Sequence, residues 1–113
     1  MNNGSIYVEK NFSTIYDGMT EEYNDIEQMM SRKYEQLRTD PNNESLKFDI
    51  MELGSFAHKK LSHQGEFAQA YAPKDLKEQL LHQLIEKDAV LLDELGKMNQ
   101  QEYTEGKKFN GII

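Results

Sequence analysis

The chain has 113 residues, no cysteine, and 20 acidic against 13 basic side chains, which gives a net charge of −7. This length suits one small domain, and the lack of cysteine excludes disulfides and thiolate metal sites. The acidic surface argues against binding to nucleic acid or to an anionic membrane, because their phosphate groups would repel it.

Targeting segments are not recognisable in the sequence. No stretch reaches the roughly 18 consecutive apolar residues that a membrane-spanning helix needs. Residues 1–12 lack a basic segment followed by an apolar one, so we expect no cleavable signal peptide. We therefore expect a cytoplasmic protein, or one that is exported without such a peptide.

The first predicted helix, helix A, covers residues 13–38. Its apolar residues recur at steps of three and four, so they lie on one face of a helix. They are Ile15, Met19, Tyr23, Ile26, Met30, Tyr34 and Leu37. Residues 1–12 are mostly polar and are predicted to form a flexible arm.

The stretch RTDPNNESL, residues 38–46, interrupts this pattern. Pro41 disfavours helical backbone in the residue before it, so we expect Asp40 to cap a second helix that begins at Pro41. Such a short connection makes the two helices an antiparallel hairpin. This helix B, residues 41–63, carries one apolar face, formed by Leu46, Ile50, Leu53, Ala57 and Leu61, and two apolar residues on its opposite side, Phe48 and Met51.

A third helix, helix C, is predicted over residues 74–98, after a linker at 65–73 for which a partly helical conformation is one alternative. Pro73 and Asp75 favour its start. It has a heptad-like seam, typical of coiled coils, formed by Leu81, Leu84, Asp88, Leu91, Leu95 and Met98. Residues 99–113 are predicted to be a second flexible arm. The sequence thus predicts an all-α protein, a small antiparallel helical bundle or hairpin with three main helices.

No arrangement of catalytic, cofactor-binding or metal-binding residues stands out. His58 and His63 are five residues apart and lie on different helix faces, whereas metal-binding pairs on a helix are spaced by three or four. His82 has Glu78 and Glu86 four residues away on either side, which is typical of a solvated helix face. We therefore expect no enzymatic activity, no cofactor and no metal site.

The apolar faces of helices B and C exceed what the companion helices can cover, which indicates a partner protein. Asp88 interrupts the leucine seam, where it either pairs with a lysine or arginine of a neighbouring helix, faces a partner, or reaches water. We predict an adaptor or chaperone-like module that forms a homodimer or a heterocomplex. The predicted partner-binding residues are Phe48, Met51, Leu81, Ile85, Asp88 and Leu92.

An acidic ridge on helix A supports a different hypothesis. Asp17, Glu21 and Asp25 recur every four residues and therefore share one helix face. Such a ridge is either a solvated surface or a binding surface for a basic partner. In the second case the protein would be an acidic inhibitor that mimics nucleic acid. Self-assembly into a structural subunit is a third possibility.

Residues 21–61, with Asp40, Pro41 and Asn42 at the bend, resemble the helical-hairpin needle and inner-rod subunits of type III secretion systems. The resemblance implies a subunit of an export apparatus, or one of its small helical chaperones. The chain departs from that pattern by carrying helix C, since needle subunits end soon after their second helix.

Overall fold

A computed structural model shows three α-helices joined by short turns. It describes the backbone of residues 2–112 and the side chains of residues 11–98. The helices are α1 (Asn2–Thr39), α2 (Glu44–Tyr71) and α3 (Lys74–Ile112). No strand occurs in this part of the chain, so the predicted all-α class and the three-helix bundle are confirmed.

Helices α1 and α2 pack as the predicted antiparallel hairpin. Lys33 Nζ lies 3.1 Å from Asp49 Oδ2 near the turn, and Lys60 Nζ lies 2.8 Å from Glu22 Oε2 farther along the pair. Residue numbers therefore fall on α1 as they rise on α2. All four side chains are at least one-third exposed, so these ion pairs mainly mark the register and add little stability.

Helix α3 packs on a different side of α2. His58 Nδ1 lies 2.7 Å from Asp88 Oδ1, and the backbone at Gly54 lies against the side chain of Leu95, so this pair is also antiparallel. Among the described residues, no α-carbon of α1 comes within 8 Å of an α-carbon of α3. Helix α2 is therefore the central element, and α1 and α3 run parallel to each other on either side of it.

The main core lies where the three helices face one another. Each helix contributes apolar side chains at helical spacing, and every core member belongs to one of the three predicted apolar faces. They are Tyr23, Ile26 and Met30 of α1, Ile50, Ala57 and Leu61 of α2, and Leu84, Leu91, Leu95 and Met98 of α3. On the predicted apolar face of helix A, Ile15 is the exposed residue, since about half of its surface is accessible to solvent.

The first turn of α2 differs from the prediction. Asn43, and not Asp40, is the N-cap, and its Oδ1 accepts a hydrogen bond of 3.1 Å from the backbone amide of Leu46. Asp40 instead accepts a hydrogen bond from the side-chain amide of Asn43 and holds the turn together. Pro41 and Asn42 occupy this turn, so the helix begins at Glu44 and not at Pro41.

The segment 65–73, predicted as a linker with a partly helical alternative, is helical as far as Tyr71, where α2 ends, so helix B extends past its predicted end at residue 63. A second core cluster of Phe12, Ala68 and Ala72 forms there, and the Phe12 ring stacks on Phe67 with centroids 5.2 Å apart. Burial of these side chains outweighs the roughly 1 kcal/mol that a mid-helix glycine such as Gly65 costs.

The outer ends of α1 and α3 also extend past the predicted boundaries at 13 and 98. The backbone of α1 is helical from Asn2, and that of α3 to Ile112. Phe12, assigned to the N-terminal arm, belongs to the second core cluster. The predicted flexibility of the arms concerns segments whose side chains, at 1–10 and 99–113, lie outside the described residues, and it stays a prediction.

Candidate protein-binding site

A groove runs between α1 and α3, with α2 beneath it. We call it the α1–α3 groove. Its volume is about 1140 Å³. Its apolar lining consists of Tyr23, Met30, Tyr34, Leu37, Pro41, Val90, Leu91 and Met98, and its charged lining of Glu27, Glu35, Arg38, Lys47, Glu86, Lys87, Glu94 and Lys97. An apolar bed with charged rims is the surface that an amphipathic helix requires.

Tyr23 lies at one end of the groove lining and is only 5 % exposed. Lys87 Nζ lies 5.4 Å from the centre of its ring, so α1 and α3 meet here through side chains. Burial, followed by the negative charges of Glu27, Glu94 and Asp88, raises the pKa of Tyr23 to about 12. The phenol is therefore neutral at physiological pH.

Tyr34 lies farther along the groove, toward the α1–α2 turn. Its hydroxyl oxygen is buried and has no hydrogen-bond partner among the described residues. Burial and the nearby Glu94 carboxylate raise the pKa of Tyr34. An unpaired buried hydroxyl costs about 1–3 kcal/mol, so a polar group entering the groove would gain from pairing with it.

No protein-family model, curated protein or solved structure matches this chain. The resemblance of residues 21–61 to secretion-system subunits therefore stays a hypothesis.

A second apolar surface lies outside the groove lining. Phe48 and Met51 of α2 and Ile85 and Leu92 of α3 are all exposed, although each is apolar. Residues three or seven apart share a helix face, so each helix presents its pair on one side. We call these four residues the outer apolar face. They belong to the predicted partner-binding set.

The other two residues of that set are engaged within the chain. Leu81 is half-buried and packs against the second core cluster. Asp88 is half-buried and pairs with His58 of α2 at 2.7 Å. Of the three alternatives for Asp88, the structure thus favours pairing with a neighbouring helix, although the partner is a histidine and not the expected lysine or arginine.

The acidic ridge lies on the exposed surface of α1. Asp17, Glu21 and Asp25 are all solvent-accessible on α1, and none forms an ion pair with another described residue. The ridge is therefore compatible with a solvated surface and with a basic partner, and the hypothesis of nucleic-acid mimicry stays a prediction.

Residues 11–98, whose side chains are described, form neither a metal site of three or more ligands nor a membrane-spanning helix. No group of three or more His, Asp or Glu residues in that range is arranged to hold a metal ion. Within the same part of the chain, no helix combines the length and the apolar character that crossing a bilayer demands.

Sequence reasoning missed the groove as a site, although it identified most of its apolar lining as core. Tyr23, Met30 and Leu91 lie in the predicted apolar faces and are each at most 5 % exposed, and periodicity does not show that such buried residues also form the floor of a groove. Val90 lies off the predicted seam of helix C and was not singled out.

Proposed function

We propose that this protein is a non-enzymatic interaction module that binds an amphipathic helix of a partner protein in the α1–α3 groove. The observation that carries the proposal is the distance between α1 and α3, which meet through side chains in the core but have no described α-carbons within 8 Å of each other. Their facing sides line a groove of about 1140 Å³ with tyrosine, methionine, leucine and valine side chains.

The dimensions of the groove support a helix as the ligand. Its lining on α1 extends from Tyr23 to Arg38, which corresponds to about 23 Å at 1.5 Å per residue, or about four helical turns. Three helices in up-down-up order, with the outer two apart, match three members of a four-helix bundle. A helix bound in the groove would complete such a bundle and cover the exposed Val90.

A matched pair of substitutions on α3 tests the proposal. Val90 lines the groove and is 60 % exposed, whereas Ile85 lies on the outer apolar face and is 66 % exposed. Because both side chains are largely exposed, Val90→Asp and Ile85→Asp should leave the helical circular dichroism signal and the stability nearly unchanged. We expect Val90→Asp to weaken binding of a synthetic amphipathic helical peptide of about 16 residues by tenfold or more, because an unpaired carboxylate would be buried under it.

The two variants also separate the competing surfaces. Ile85→Asp should leave peptide affinity, measured by fluorescence anisotropy, within a factor of about two. Loss of binding in Ile85→Asp but not in Val90→Asp would show that the peptide binds at the outer apolar face and not in the groove. Binding that falls steeply with salt and depends on Asp17, Glu21 and Asp25 would instead favour the acidic inhibitor.

Self-assembly is a second candidate function. The outer apolar face exposes Phe48 and Met51 on α2 and Ile85 and Leu92 on α3, and exposed apolar surface is a feature of many protein interfaces. A second copy is one partner that would cover them. The two functions are compatible, because the groove and the outer apolar face use different residues.

A further inference from the structure

We infer that the α1–α3 groove selects a helix by its charge order, and that the preferred ligand is an amphipathic helix with acidic residues in its N-terminal half and basic residues in its C-terminal half, bound antiparallel to α1 and α3. This inference rests on the proposed helix-binding function. It concerns the chemistry and the direction of the ligand.

The charges along the groove are segregated by position. Residue numbers rise toward the α1–α2 turn on both α1 and α3, because both are antiparallel to α2. The half of the lining away from the turn carries Glu27, Glu86 and Glu94 against one base, Lys87. The half nearer the turn carries Arg38, Lys47 and Lys97 against one acid, Glu35. Glu94 and Lys97, one helical turn apart on α3, lie on either side of the boundary, so the groove is net acidic in one half and net basic in the other.

The acidic half holds two carboxylates that have no counter-ion among the described residues. Neither Glu27 nor Glu94 has a basic nitrogen of a described residue within 4 Å, and Lys87 lies over the Tyr23 ring instead. Glu94 acts electrostatically on both Tyr23 and Tyr34, so its charge extends into the groove lining. A lysine or arginine of the ligand would be attracted to this position.

Two of the three bases in the basic half, Arg38 and Lys97, have only weak internal partners, whereas the side chain of Lys47 is largely buried. Arg38 pairs with Glu35 within the same helix, at 3.1 Å, and Lys97 pairs with Asp93 in the same way. All four side chains are largely exposed, and such pairs contribute only about 0.3–0.5 kcal/mol. Arg38 and Lys97 can therefore leave these pairs and bind carboxylates of a ligand at little cost in free energy.

The direction of the ligand follows from the bundle geometry. A fourth helix between α1 and α3 is antiparallel to both in an up-down-up-down bundle, so its N-terminus lies beside the α1–α2 turn. Acidic side chains stabilise a helix N-terminus and basic ones a C-terminus, because of the helix dipole. The charge order that stabilises the free helix is thus also the order that complements the groove.

Two peptides with the same composition and the same apolar face test this inference in the full-length chain. One carries its acids first and its bases last, and the other carries the reverse order. We expect the acid-first peptide to bind at least about tenfold more tightly at low salt, with the difference shrinking as ionic strength rises. The measurement is fluorescence anisotropy over a salt series.

A charge reversal on the protein locates the effect. Glu94→Lys should reduce the preference for the acid-first peptide by fivefold or more, because it removes the acid that faces the C-terminal bases. Glu78→Lys makes the same charge change on an exposed position of α3 outside the groove lining, and it should leave the preference unchanged.

The outcomes distinguish the inference from the proposed function. Equal affinity for the two peptides, with binding still lost in Val90→Asp, would overturn the charge-order inference and retain the helix-binding groove. A preference for the base-first peptide would overturn the inference as well. Failure of both peptides to bind would overturn the proposed function, and the inference with it.

Discussion

Gln64 is the most deeply buried polar side chain in the described part of the chain, with 1 % of its surface exposed. Its Nε2 donates hydrogen bonds to Thr20 Oγ1 at 2.8 Å and to the Tyr16 carbonyl at 3.3 Å. Its Oε1 is buried without a partner among the described residues. The amide therefore links α2 to α1, but it also buries an unsatisfied acceptor, and the two effects oppose each other.

This balance predicts different effects on the free energy of unfolding for two substitutions of similar size. Gln64→Leu removes both the hydrogen bonds and the unsatisfied acceptor, so we expect the free energy of unfolding to stay within about 1 kcal/mol of the wild-type value. Gln64→Glu buries a carboxyl group and should cost about 3 kcal/mol or more at neutral pH. Urea denaturation measures both values.

The pH dependence checks the cause. Burial raises the pKa of the introduced carboxyl in the folded state, so the loss in Gln64→Glu should be smallest below about pH 4.3 and should grow as the pH rises. A loss of several kcal/mol in Gln64→Leu would contradict this account. It would mean that the two hydrogen bonds stabilise the fold by more than the unsatisfied Oε1 destabilises it.

The buried phenol of Tyr23 should make the stability of the protein depend on pH in the alkaline range. Its pKa is raised from 10.0 to about 12 in the folded chain, mainly by burial. The unfolded chain therefore releases the proton first, and the stability that Tyr23 contributes is fully present below about pH 10 and lost as the pH rises toward 12. The loss amounts to about 2–3 kcal/mol, at 1.4 kcal/mol per unit of pKa.

Tyr23→Phe isolates this contribution from the other groups that titrate at high pH. The variant should lose less stability than the wild type between about pH 9 and about pH 12, as measured by urea denaturation at each pH. Curves that fall in parallel for both proteins would show that the Tyr23 phenol does not titrate abnormally.

At the scale of helices, the closest approach among the described glycines is that of α2 to α3 at Gly54. A Cβ atom at this position would lie 2.6 Å from Leu95 Cδ1 and 2.8 Å from Cδ2, both well inside contact distance. Leu95 is buried, so its side chain has little room to move. Glycine here sets the spacing of the two helices, whereas Gly18 of α1 has no heavy atom within 4 Å of the corresponding position.

The two glycines therefore predict opposite effects. Gly54→Leu should destabilise the protein by about 1–3 kcal/mol, because it forces α3 away from α2. Gly18→Ala should stabilise it by about 0.5–1 kcal/mol, because alanine has a higher helix propensity and its methyl group would not clash with a neighbouring side chain. Thermal denaturation followed by circular dichroism compares the variants. A neutral Gly54→Leu would mean that the α2–α3 interface adapts to the added side chain.

At the scale of the whole molecule, the bundle presents an open groove on one side and the outer apolar face elsewhere. The α-carbon envelope measures 73 × 22 × 15 Å, so the molecule is a narrow rod with much surface for its size. Such a shape provides long helical surfaces for partners but only a thin core for its own stability.

The outer apolar face predicts concentration-dependent self-association. We expect the sedimentation coefficient to rise with protein concentration, since Phe48 and Ile85 expose most of their surface. A double Phe48→Ser, Ile85→Asp variant should remain monomeric over the same range, while Val90→Asp should associate like the wild type. A wild-type protein that stays monomeric at every concentration would rule out this face as a self-association surface.

The sequence by itself determined the helices and the residues that form the main core. All members of that core, from Tyr23 to Met98, lie on the predicted apolar faces, because the 3.6-residue periodicity of a buried face is a local property. The bend at Pro41 is local as well, since proline restricts its neighbour regardless of the fold.

Only the tertiary structure decided where α2 ends and how far α1 lies from α3. Gly65 suggests a helix end locally, yet the packing of Phe67 and Ala68 against Phe12 carries α2 to Tyr71. The groove depends on the distance between two helices that are separated by the whole of α2. That distance is set by the packing of many side chains at once, which no local pattern encodes.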